Sequence, residues 1–314
     1  MKIKNISVLM PAYNCGKYIS QSIRSILNQT YKEFEFLIID DGSTDNTEDI
    51  VKTFKDERIL YKKIDHKGTS GALNYGISFA SGEWIARIDA DDLNSPDRLE
   101  KQMNFVDNYS QYDILSCWSV YFNNKGQICY FWKSPVSNEE IHMSLNRYNP
   151  LNQSGLLIKK HLFSEYKFDE SFLYFEDYEL MYRVRDKVKF CNIPEFLVYT
   201  RIRKDSKSFT SNSDKIFGML FHSSIDKLIQ SETSKELKYW NGICGDICLF
   251  YGNVKDAYKY FWISFKFKNY LKMIMIAIFG GNVRKLLKKN IQLRIITLIK
   301  YKSKYKKFLA KNIN

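Results

Sequence analysis

Trp84-Ile85-Ala86-Arg87-Ile88-Asp89-Ala90-Asp91-Asp92 runs from an apolar segment straight into a cluster of carboxylates. A strand covered on both faces reads as a short apolar run, and Trp84 to Ile88 has that form. Two upstream segments repeat the arrangement. Ile6-Ser7-Val8-Leu9-Met10 leads into Pro11-Ala12-Tyr13-Asn14, and Phe34 to Ile39 ends on Asp40-Asp41-Gly42-Ser43-Thr44. Between them, Lys17 to Asn28 reads as a helix with Ile19, Ile23, Ile26 and Leu27 turned inward. A further helix starts near Asp45, where Ser43 or Thr44 can cap it. Ile59 to Lys63 is a weaker strand, Thr69 to Ala80 a helix, and Ile114 to Val120 a fifth strand. Pro96 opens the helix between the last two strands, which runs to about Tyr109. This rhythm predicts an α/β fold with a mostly parallel central sheet flanked by helices. Ligands bind such sheets at the carboxyl ends of strands, and three of those ends carry ligand-type residues.

Asp89, Asp91 and Asp92 repel one another unless a cation or solvent intervenes. Mg²⁺ or Mn²⁺ suits oxygen ligands and keeps positions for phosphate oxygens. The same residues could instead form an acidic loop in which Asp92 or Asn94 caps the helix at Pro96; the Asp40-Asp41 pair at a second strand end favours the metal. There is no G-x-x-x-x-G-K-[ST] loop and no G-x-G-x-x-G after a strand. A nucleotide must then be held by the metal and by side chains at the strand ends. Asp40 is placed to accept hydrogen bonds from a base or ribose, and Tyr13 to lie against a base ring. Glu176-Asp177-Tyr178-Glu179 is a second acidic cluster ahead of a helix. It reads either as favourable charge at a helix start or as a general base for an attacking hydroxyl. His66, His142, His161 and His222 have no partner at ligand spacing and read as structural or solvated.

Three segments together resemble the family 2 glycosyltransferases: Val8 to Asn14, Ile38 to Asp45 and Gly82 to Asp92, in that order. Phe168-Asp169-Glu170 and Glu176-Asp177 resemble that family's acceptor-side pattern, and the likeness covers roughly residues 5 to 206. It implies the GT-A fold and inverting transfer from a nucleotide-sugar donor, usually a UDP-sugar. It also implies site roles. Pro11, Ala12, Tyr13, Asn14, Asp40 and Asp41 would bind the nucleoside. Asp89, Ala90 and Asp91, with Asp92 adjacent, form the DXD motif, whose aspartates would hold Mn²⁺ or Mg²⁺ on the diphosphate. Asp177 would be the base with Glu176 beside it, and Asn74 would support the donor side. The sequence departs from the family twice. Arg201-Ile202-Arg203-Lys204-Asp205-Ser206 places Arg203 where the family often has His, and Asn152-Gln153 replaces a frequent His-Pro. A guanidinium cannot ligate a metal but can pair with a diphosphate, so Arg203 joins the donor-binding set.

The organisation changes along the chain. Asn138 to Arg203 is mixed, and after about Ser213 the pattern is helical, rich in Lys, Phe and Ile. Residues 1–213 therefore read as the catalytic domain, with a nucleotide-sugar half to about 120 and an acceptor half from 121. Residues 214–314 read as a helical, basic C-terminal extension. The net charge of +13 is concentrated there: from Lys255 onward there are sixteen Lys or Arg and one acid, Asp256. Basic residues mixed with Phe261, Trp262, Phe265 and Ile274 suit an anionic membrane surface, or simply pack a helix on the catalytic domain. Nucleic acid is not expected as a partner, because no binding motif supports it. Met273 to Val283 is uncharged for only eleven residues, short of the ~20 a spanning helix needs. Six cysteines without a framework, and a strand directly after Met1, predict a cytoplasmic location, peripheral on the inner membrane. The expected function is sugar transfer to a glycan or lipid-linked acceptor. The rival readings are a non-catalytic nucleotide-sugar-binding or scaffold protein and a sugar nucleotidyltransferase.

Overall fold

The computed structural model describes residues 6–146, 148–172, 175–203 and 299–313. Expectations that fall on residues 204–298, His222 among them, lie outside the described residues. Most described residues fall in one compact unit; a second takes in Met143–Tyr148 and Lys207–Arg294.

Half of the sheet is parallel, in the order β3 (Ile59–Lys63), β2 (Phe34–Asp40), β1 (Ile6–Ala12), β4 (Trp84–Arg87). β1 lies between β2 and β4, and its apolar residues are buried on both sides, as its continuous apolar run requires. Register places Ala12 beside Asp40. The Ile88 amide donates to the Leu9 carbonyl at 3.1 Å, so Asp89 leaves the sheet beside the end of β1. The other half is mixed. β8 (Leu157–Lys159) runs antiparallel to β4 and to β6 (Ile114–Asn123). β9 (Phe190–Ile202) runs parallel to β6, and β5 (Leu93–Asn94) closes the edge antiparallel to β9. β7 (Ile128–Trp132) forms a hairpin with β6.

Helices α1 (Gly16–Leu27), α2 (Thr47–Thr53), α3 (Gly68–Phe79), α4 (Arg98–Asn108), α5 (Asn138–Leu145) and α6 (Glu176–Val184) follow in chain order. The inward stripe of α1 is as its spacing predicts: Ile19, Ile23 and Ile26 are fully buried and Leu27 partly so. Burying each contributes about 1.5–3 kcal/mol. Two helix starts differ from expectation. α2 begins at Thr47, where Asp45 Oδ1 accepts from the Thr47 amide at 3.0 Å; Ser43 and Thr44 bond Asn14 instead. α4 begins at Arg98, two residues past Pro96. Asn94 does not cap it but sits buried in β5, its Oδ1 accepting from Arg98 Nη1 at 2.5 Å. Arg98 is fully buried and also donates to the carbonyls of Arg87 and Leu156, which ties β4 to the loop before β8. Burial pushes its guanidinium down to about 10.

Among the described residues one further helix, α7 (Ile299–Ile313), packs on the β6–β9 side of the same unit. Tyr305 and Leu309 are buried with Leu93, Val120, Phe122, Phe131, Phe196 and Tyr199. Among the described residues no helix is long and apolar enough to cross a membrane, and Cys15, Cys117, Cys129 and Cys191 are unpaired.

Candidate active site

The carboxyl ends of β1, β2 and β4 converge, and their loops hold one another. Asn14 adopts a left-handed backbone, φ 47°, which asparagine tolerates better than most residues. Its Oδ1 accepts from the Thr44 amide at 2.8 Å, and its own amide donates to Ser43 Oγ at 3.0 Å. Gly42 sits at φ +75°, where a side chain would also crowd His66. Asp40 is fully buried: Oδ1 accepts from the Ser43 amide at 2.7 Å and Oδ2 from the Tyr61 hydroxyl at 2.6 Å. Asp41 turns the other way. It accepts from the amides of Lys67 and Gly68 at 2.7 and 2.9 Å, at the start of α3, and its Oδ2 meets His66 Nδ1 at 2.8 Å. The His66 ring also stacks on Tyr13, with centroids 4.3 Å apart. His66 reads in the sequence as structural or solvated, and these contacts give it a structural setting. The turn after β2 brings it to Asp41, 25 positions away in the chain, and the end of β1 brings Tyr13 against it.

The aspartate loop divides into separate tasks. Asp92, expected in the metal set, is held by the neighbouring segments. It is buried, Oδ2 accepts from Ser154 Oγ at 2.6 Å, and Oδ1 accepts from the Arg201 amide at 2.7 Å. Both oxygens thus join the loop to the neighbouring segments. Asp91 Oδ2 is ion-paired with Arg203 at 2.8 Å, and Asp89 Oδ1 with Arg87 at 3.1 Å. Ala90 is buried, and its carbonyl accepts from Ser22 at 2.8 Å. Burial pushes the Asp91 carboxyl up against the pull of Arg203, and burial with repulsion from Asp91 and Asp89 pushes Asp92 well up. A divalent cation would relieve that crowding, and Asp89 and Asp91 each keep one oxygen outside an ion pair. Their chemistry fits Mn²⁺ or Mg²⁺. Among the described residues no three His, Cys, Asp or Glu form a cluster that could hold a metal.

Arg87 joins this loop to the second acidic cluster. Its buried guanidinium lies 3.1 Å from Asp89 and 3.4 Å from Glu176, and Nη1 donates to Gln153 Oε1 at 2.9 Å. α6 starts at Glu176 after Phe175, which is left-handed at φ 63°. An aromatic residue in that region stores strain of about 1–3 kcal/mol, the kind concentrated at functional sites. The turn sets Glu176 and Asp177 at the helix start, where Asp177 Oδ2 accepts from Asn149 Nδ2 at 3.1 Å. Burial, then Asp177, raises the Glu176 carboxyl from 4.5 to about 7, with Arg87 opposing. Burial also raises Asp177. Asn74, expected on the donor side, grips Phe168 with its side-chain amide, donating to the carbonyl at 2.9 Å and accepting from the backbone amide at 3.0 Å. It also donates to Glu170 at 3.1 Å. The helix face it occupies points to the loop before α6.

A family model described as glycosyl transferase family 2 matches residues 7–163, which include the carboxyl ends of β1, β2 and β4. This chain belongs to glycosyl transferase family 2. Similar relatives include an uncharacterized glycosyltransferase of Haemophilus influenzae, 30% identical over 253 residues, covering 75% of this chain and 72% of the relative. Another, from Methanocaldococcus jannaschii, is 33% identical over 204 residues, covering 63% and 70%. Solved structures show the GT-A fold. TarS 1–349 of S. aureus in complex with UDP-GlcNAc aligns over 86% of this chain and 78% of its own, with TM-score 0.60 at 19% identity. The mannosyltransferase PcManGT of Pyrobaculum calidifontis, in complex with GDP-Man and Mn²⁺, aligns over 95% and 86%, with TM-score 0.59 at 14% identity. The protein is thus a glycosyltransferase. Sequence reasoning passed over Arg87, Arg201 and Asn149. A charged residue inside the apolar run Trp84 to Ile88 was the one available signal for Arg87; the partners of the other two are set by folding alone.

Proposed function

We propose that this family 2 glycosyltransferase moves a sugar from a nucleoside diphosphate donor, with UDP as the expected carrier, to a hydroxyl of a surface glycan or lipid-linked oligosaccharide. The anomeric centre inverts. The observation that carries the reading is Arg87, whose one guanidinium touches both Asp89 and Glu176. Donor-side and acceptor-side carboxylates therefore face a common space, as an in-line displacement requires. Asp177 takes the acceptor proton while the oxygen bonds to the anomeric carbon and the bond from that carbon to the diphosphate breaks. Burial raises the proton affinity of Asp177, in the direction a base working near neutral pH needs. Mn²⁺ or Mg²⁺ held by Asp89 and Asp91 would offset charge on the departing diphosphate. Arg203, paired with Asp91, is positioned to add to that.

The donor class is supported by the complexes named for TarS and PcManGT. The excess of Lys and Arg from Lys255 onward supports work at anionic lipid on the cytoplasmic face of the inner membrane. The test is nucleoside diphosphate release from a panel of nucleotide sugars, with and without Mn²⁺. Release from one donor, dependent on metal and lost in Asp91→Ala, is the expected result. No release and no nucleotide binding by the folded protein would overturn the proposal.

A further inference from the structure

Helix α7 reaches the aspartate loop through two side chains. Gln21, on α1, donates from Nε2 to the Ile313 carbonyl at 2.8 Å, and its Oε1 accepts from Arg201 Nη2 at 2.6 Å. Arg201 donates from Nε to the Asp91 carbonyl at 2.9 Å, and its amide holds Asp92 Oδ1 at 2.7 Å. Its guanidinium is confined between the rings of Tyr18 and Phe122, at 4.8 and 4.6 Å. The same helix supports the loop from behind. Tyr305 and Leu309 pack in one apolar cluster with Leu93, the residue that follows Asp92. Phe308 stacks on Tyr199, the β9 residue paired with Leu93, with centroids 4.2 Å apart.

We propose that α7 is a clasp on the donor loop, with Gln21 and Arg201 as positioning residues that hold the Asp91 and Asp92 backbone for diphosphate binding. The amide of Gln21 explains how a carbonyl on α7 can matter there. An amide offers an acceptor on one side and donors on the other. With its donors on Ile313, its oxygen must face Arg201. Released from Ile313, it can turn its NH₂ toward the guanidinium, where two donors meet and the bond is lost. Arg201 then holds the Asp91 peptide less firmly, and the direction of the Asp91 carboxylate relaxes with it. Residues from Ile299 onward thus act on the catalytic loop, apart from any part they take at a membrane.

The catalytic consequence rests on the proposed function, but the clasp can be tested without it. Hydrogen exchange of the amides in 89–93 is measured on the full chain without ligand, for wild type, Gln21→Leu, Gln21→Glu and Leu309→Asp. Gln21 is partly exposed on α1, so its variants keep the fold. Gln21→Leu is expected to speed exchange in 89–93 roughly tenfold, the scale of one hydrogen bond to a charged group. Gln21→Glu keeps an acceptor for Arg201 and is expected to match wild type. Leu309→Asp, which undocks the helix, is expected to reproduce Gln21→Leu. With the assigned donor, Gln21→Leu raises donor KM severalfold and leaves acceptor KM unchanged. Unchanged exchange in 89–93 for Gln21→Leu, or equal loss in Gln21→Glu, would overturn the clasp even where turnover is found. Faster exchange in a protein that turns over no donor supports the clasp and counts against the function.

Discussion

Replacing Glu176 by Gln probes the electrostatics of the site with little change of shape. Glu176 is buried, Asp177 is its neighbour, and Arg87 is 3.4 Å away. Burial and the Asp177 charge together raise the carboxyl from 4.5 to about 7. Below pH 4.5 the group is neutral in the folded and the unfolded chain alike. As pH rises from there, the unfolded chain loses the proton while the folded chain keeps it, so folding stability falls. The loss is complete above about pH 7, where the folded group is also charged. At about 1.4 kcal/mol per pH unit, that interval corresponds to about 3 kcal/mol. Gln cannot titrate and escapes the loss. Urea unfolding of both proteins in metal-free buffer is expected to give equal stability near pH 4, with Glu176→Gln about 3 kcal/mol more stable near pH 8. A difference that stays flat with pH, or a variant less stable near pH 8, would refute the reasoning. It would mean that the Arg87 pair outweighs desolvation.

Asp177→Asn is expected to lower turnover by about 10²–10⁴ with donor KM nearly unchanged, the signature of a lost base; steady-state kinetics in both substrates checks this. Arg203→Ala removes the ion pair on Asp91, so half-saturation by Mn²⁺ should fall severalfold while turnover drops about tenfold. An unchanged rate would deny Arg203 any part in stabilising the leaving group. Gly76→Ala would place a Cβ 2.3 Å from Leu9 Cδ1 and 2.9 Å from Ile39 Cγ1. Overpacking α3 against β1 and β2 in this way should cost about 1–3 kcal/mol in thermal or urea unfolding, far from the chemistry.

The parallel half of the sheet was legible because its information is local. Strands β1, β2 and β4 each announce themselves by a short apolar run, and each ends on polar residues that have no place in a core. The likeness to the family added an order of segments that composition could not supply. The mixed half was less readable. β5 is two residues long, too short for any periodicity, and forms only because β9 runs alongside it. Helix α4 starts at Arg98, two residues past Pro96, and Asn94 serves as an acceptor for the buried Arg98 and not as its cap.

Which carboxylate does what was decided by tertiary structure. Asp89, Asp91 and Asp92 look equivalent in the sequence, since all three crowd one strand end. In the fold they face Arg87, Arg203, and Ser154 with the Arg201 amide, partners that come from as far as β9. The partners of Asn74 and His66 were likewise set by folding, because the bonds to Phe168 and Asp41 join positions that no spacing rule relates. Local apolar pattern determines where strands and helices form, since burial acts on each segment's own residues. The charge on a side chain, and the task it performs, depends on distant groups that only chain folding brings within a few ångströms.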